Sequence, residues 1–108
     1  MSRVTNIVIH CECGDAQVAI DAINADLSAF RGWDHTDILK EVNHAAGGSK
    51  CLEVDLFAGA ANHTPTDLIC GAIARAPWER LHIDKSTVLI LITEEERPTQ
   101  IYTLADLA

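Results

Sequence analysis

The sequence predicts an α+β fold, a two-layer ferredoxin-like sandwich with two helices on one side of a mainly antiparallel sheet. Three observations predict it. Strand-like and helical segments follow in the order β-α-β-β-α-β, each helical segment carries one apolar stripe, and the first strands separate into unlike faces. At 108 residues the chain suits one α/β domain over 1–108 and is too short for two cores.

Residues 4–13 are rich in β-branched side chains and stop at Gly14-Asp15, which predicts the first strand. Thr5, Ile7, Ile9, Cys11 and Cys13 share one face of it, and Val4, Asn6, Val8, His10 and Glu12 the other. Asp15 then serves as the N-cap of a helix running to about Phe30. Ala16, Ala19, Ile20, Ile23, Leu27 and Phe30 form its inward stripe, with Gln17, Asp21, Asn24 and Ser28 opposite.

Residues 31–50 support two readings. Thr36 to Asn43 fits a short helix, or a strand with Ile38 and Val42 on one face; the Gly47-Gly48-Ser49 turn favours a hairpin and hence the strand. A helix there makes the order β-α-α-β-α-β, and a small three-layer α/β fold with a parallel sheet becomes the alternative. Cys51 to Ala58 alternates, so a half-buried strand is predicted with Leu52, Val54 and Leu56 on one face and Cys51, Glu53 and Asp55 on the other.

Thr64-Pro65-Thr66-Asp67 places a cap residue, a first-turn proline and an acid three residues after the cap, a helix start. Leu68, Ile69, Ala72, Ile73 and Ala76 make its stripe, and Pro77 ends it. Val88 to Ile92 is apolar on both parities, which predicts a central strand covered on both faces, by a second layer or by a second subunit. Glu94 to Pro98 is a charged turn, and Gln100 to Leu104 returns as a fifth strand.

Charge narrows the function. Eight Lys+Arg against sixteen Asp+Glu give a net charge of −8, which disfavours direct nucleic-acid binding and docking on an anionic membrane. No stretch approaches the ~18–20 apolar residues of a membrane span, and Ile7-Val8-Ile9 is too short for a signal-peptide core. A cytoplasmic location follows as the expectation, with Cys11, Cys13, Cys51 and Cys70 as reduced thiols.

Three constellations bear on chemistry. His10-Cys11-Glu12-Cys13 suggests soft metal ligation, but strand parity sends both thiols to the core side and His10 and Glu12 away from them. Parity also gathers His10, Glu12, Cys51, Glu53 and Asp55 on the sheet face without helices. Such an acidic face suits a basic partner, a hard cation or a general base, against the plainer reading of a solvated or partner-covered surface. Finally, Asn62, His63, Thr64 and Thr66 lie in a small-residue loop ahead of a helix N-terminus and form a candidate anion or ligand loop; against it, Thr64 is already accounted for as a cap. No nucleophile elbow or catalytic cysteine context occurs. His35, His44 and His82 read as surface residues, and Trp33 and Trp78 as lids over the core edge.

The leading functional expectation is a small protein-binding module without enzymatic activity, of a regulatory, immunity/inhibitor or phage-type accessory kind. It meets a basic partner with the face carrying His10, Glu12, Glu53 and Asp55. One alternative is a small-molecule-binding or enzymatic homodimer with a site near His10 or His63; another is a metal-binding protein using Cys11 and Cys13. No cofactor is implied, and no metal ligand set is assigned.

Overall fold

The structure, a computed structural model, describes residues 4–12, 16–31, 38–42, 54–62 and 64–107, with Phe30 and Arg31 described by backbone only. The expected cap Asp15, the hairpin turn Gly47-Gly48-Ser49, and Cys13, Trp33, His35, His44 and Cys51 lie outside the described residues. The elements are β1 (Val4–Cys11), α1 (Gln17–Arg31), β2 (Lys40–Glu41), β3 (Asp55–Asn62), α2 (Thr66–Arg75), β4 (Leu89–Glu94), β5 (Gln100–Thr103) and α3 (Leu104–Leu107).

Five strands form one open sheet in the order β2-β3-β1-β4-β5. All four strand pairings are antiparallel, so the fold is α+β and the parallel three-layer alternative does not hold. The order explains why. The connection through α1 carries the chain from β1 to β2, one place beyond β3, and that through α2 carries it from β3 to β4, one place beyond β1. In both cases the strand lying between runs the opposite way.

The helices cover the sheet face formed by Thr5, Ile7, Ile9 and Cys11 of β1, all buried. From α1 come Ala19, Ile20, Ile23 and Leu27, the stripe that periodicity predicts, and from α2 come Ile69, Ala72 and Ile73. Ile90 and Ile92 of β4 complete the layer from below, with Leu104 of α3 at its margin. Each fully buried aliphatic side chain contributes about 1.5–3 kcal/mol relative to exposure. At the end of α2, Ala76 is extended (φ −62, ψ 157) because it precedes Pro77, as expected. The fifth strand forms but stops at Thr103, and Leu104 begins α3 instead of ending the strand.

Two expectations about facing are corrected. The first concerns β3, which begins at Asp55 and turns Phe57 and Ala61 inward, with Leu56 on the other face. Leu56-Phe57-Ala58 is apolar on both parities, so the sequence admits either facing. Pairing Ile9 with Phe57 puts the larger aromatic ring into the core. The strand also runs on through Gly59 to Asn62, a stretch that the sequence places in a loop.

The second concerns Asn24, expected on the solvent face of α1 but only 4% exposed. Its amide Nδ2 donates to the Leu39 carbonyl and its Oδ1 accepts from the Leu39 N–H, both at 3.0 Å. This side chain thereby supplies both backbone partners of a buried residue at the start of the edge strand β2. Asn24→Ala is expected to lower stability by about 2–3 kcal/mol, because two buried backbone groups lose their partners together. Urea unfolding of the two proteins measures it.

Candidate functional site

The sheet face away from the helices is the most distinctive surface of the molecule. The register arranges it in rows across the strands. One row runs Lys40, Ala58, Val8, Leu91, Ile101, and the next runs Val42, Leu56, His10, Leu89, Thr103. Val42 joins the second row through its N–H, which donates to the Leu56 carbonyl at 2.8 Å. Towards the far end the face becomes polar, with Asn6 between Ala60 and Thr93, whose hydroxyl pairs with that of Thr99 at 2.7 Å. Three of the large exposed apolar side chains, Val42 (39%), Leu89 (36%) and Ile101 (64%), stand on this one face.

This arrangement differs from the acidic face expected. Asp55 pairs with Cys11 and therefore shares the parity of the helix-covered side. Glu12 lies exposed just past the end of β1, outside the ladder, and Glu53 lies outside the described residues. Of the four, only His10 stands on the open face, between Leu56 and Leu89. Among the described residues, the ladder positions on this face hold no carboxylate.

The candidate ligand loop is rearranged too. Asn62 closes β3 opposite Val4 on the open-face parity, and His63 lies outside the described residues. Thr64 is buried and does not cap α2; its hydroxyl turns back to the Asn62 carbonyl at 3.2 Å, leaving Pro65 as a cap with no side-chain bond. The Thr66 hydroxyl donates to Glu94 Oε1 at 2.5 Å, and Arg97 lies 3.6 Å from the other carboxylate oxygen. Thr5, Thr64, Pro65, Thr66 and Glu94 line a cavity of about 80 Å³, room for a few waters. The negative charge that a helix N-terminus attracts is thus supplied by the chain's own Glu94. Its carboxylate opposes a second anion there.

A wider groove, about 630 Å³, runs between α1 and the end of α2, lined by Ala22, Ala74, Ala76 and Pro77 with Glu79, Arg80 and Lys85. Lys85 and Glu79, both in its lining, pair at 3.2 Å, and on the neighbouring helices Arg75 holds Asp26 with two hydrogen bonds of 3.0 and 2.8 Å. These are exposed ion pairs of small energetic weight. They offer no nucleophile. The Cys70 thiol on α2 is pushed above its ordinary value of 9.0 by burial and then by nearby Asp67, which keeps it protonated.

Cys11 is fully buried on the core side of β1, and Cys13 lies outside the described residues. Among the described residues no three His, Cys, Asp or Glu side chains gather where they would hold a metal ion, and no helix is long and apolar enough to cross a membrane.

Fold and face together define a small α+β chain with helices on one side of its sheet and an apolar surface on the other. Compared with family models, curated proteins and solved structures, the chain matches none.

The apolar character of the open face is hidden in the sequence because Leu56-Phe57-Ala58 is apolar on both parities and β3 can be turned either way. The signal that points to it is the two-sided apolarity of Val88 to Ile92, where Leu89 and Leu91 face outward.

Proposed function

We propose that this chain is a non-enzymatic protein-interaction module, regulatory or inhibitory in kind, whose contact surface is the open sheet face. The observation that carries the reading is the two rows across that face, apolar at seven of their ten positions (Ala58, Val8, Leu91 and Ile101 in one, Val42, Leu56 and Leu89 in the other). A solvated antiparallel sheet alternates apolar-in with polar-out, and this one does not along β4. Contiguous apolar surface of this kind marks an interaction site. Among the described residues no carboxylate holds a ladder position on this face, so the acidic charge of the chain affects long-range approach more than the contact itself. The reading includes a ferredoxin-like fold, supported by the order of β2, β3, β1 and β4, and a cytoplasmic setting, in keeping with Cys70, which forms no disulfide.

Capture from native lysate tests it, with the wild type and a Leu89→Glu, Ile101→Glu double variant used side by side. The wild type is expected to retain a stoichiometric polypeptide, its own untagged copy included, through a high-salt wash, and the variant to lose it. Equal retention by both, or retention by neither, overturns the proposal.

A further inference from the structure

We infer that the polypeptide covering the open face is a second copy of this chain, packed sheet on sheet about a twofold axis. This rests on reading the face as a contact surface, and adds who the partner is.

Charge selects the second copy. The chain carries −8, so any self-contact built from carboxylates would bring like charges within a Debye length of each other. Among the described residues the rows of this face hold none; Lys40 on β2 and the imidazole of His10 are their only ionisable side chains. A face evolved against a basic partner would show the reverse, since complementarity then requires acids at the contact. Rows that hold one lysine and no carboxylate fit a partner that is itself acidic.

Size agrees. Strand lengths and the spacings of about 3.3 Å per residue and 4.8 Å between strands give roughly 450 Å² of face per copy, roughly 900 Å² for a pair before side-chain relief is added. Specific interfaces begin near 1,000 Å². Packing two such faces about 10 Å apart, as sheets do, interdigitates Val8, Leu56, Leu89 and Leu91 with their counterparts. Val42 and Ile101, at opposite margins of the face, close its two sides.

Light scattering on the full chain across a dilution series decides the matter, with Ile101→Glu and Val42→Glu as single variants and circular dichroism as the check on folding. Both positions are exposed, so a charge there leaves the helix-covered core intact. The wild type is expected to be a dimer that tightens as salt screens the mutual repulsion. Each variant stays folded and weakens the dimer by at least about tenfold, since a carboxylate enters the contact from each copy. Loss of the dimer in both variants supports packing across the whole face. Pairing along the β5 edge responds to Ile101→Glu alone and overturns the inference, as does a dimer that neither variant loosens. A monomeric wild type whose capture of a different polypeptide is abolished by the same variants also overturns the second copy, yet leaves the contact face standing. A monomer that captures nothing overturns both.

Discussion

Trp78→Ala is expected to lower the unfolding free energy by about 3–5 kcal/mol, the range for emptying a large aromatic site in a core. The indole is 0% exposed, in the connection that follows α2, and is the largest of the fully buried side chains among the described residues. It also acts as a hydrogen-bond donor: Nε1 reaches the Ile73 carbonyl at 2.7 Å, near the C-terminal end of α2, where helical carbonyls run out of partners. The backbone of the following turn is organised around the same residue, since the N–H groups of Leu81 and Ile83 both donate to the Trp78 carbonyl at 3.2 Å. Trp78→Phe separates the two contributions. It keeps much of the apolar volume and removes the indole donor, so a smaller loss of about 1–2 kcal/mol is expected. Urea midpoints for the two variants read the difference; equal losses would show that the cavity is not the dominant part.

Gly59→Ala is expected to cost about 3 kcal/mol or more, at or above the upper end of ordinary overpacking. A Cβ at Gly59 would sit 1.8 Å from the Ile38 carbonyl oxygen and 2.7 Å from its carbonyl carbon. These are backbone atoms, so no rotamer change relieves the overlap, and the chain at Ile38 must move away from β3. That movement is resisted next door, where Asn24 holds both backbone groups of Leu39. The expected result is separation of the 38–42 segment from β3, with faster amide exchange at Val42, whose N–H bonds to Leu56. Gly71→Ala serves as the contrast. Its new Cβ meets only the guanidinium end of Arg75, at 2.9 Å, which can swing aside. In the interior of α2 this replacement should stabilise by about 0.5–1 kcal/mol. Native-state hydrogen exchange and urea unfolding distinguish the two glycines, and a Gly59→Ala protein as stable as the wild type would contradict the close approach.

What was legible in the sequence was local. The stripe Ala19, Ile20, Ile23 and Leu27 repeats at helical spacing, and the faces of β1 follow from alternation, because each pattern is written within a few neighbouring residues. The burial of Asn24 is not legible locally, because an amide on a helix looks solvent-bound until a distant backbone that needs both a donor and an acceptor, here Leu39, arrives beside it. The N-terminus of α2 is illegible for a similar reason: Glu94, twenty-eight residues from Thr66, is the group that meets the Thr66 hydroxyl.

By itself the sequence determined β1, α1, α2 and β4, the inward stripes of the two helices and the acidic charge, while it left residues 31–50 open between helix and strand and gave no sign of α3. Only the tertiary structure decided which way β3 faces, and with it whether the open sheet face is acidic or apolar. Both parities of Leu56-Phe57-Ala58 are apolar, so local hydrophobicity is degenerate there. Pairing with β1, which sets Phe57 against Ile9 and Leu56 beside His10, removes the degeneracy. A strand's side-chain period is two residues, so that one long-range choice moves Asp55 to the helix side and sets Leu56 on the same open face as Leu89, Leu91 and Ile101.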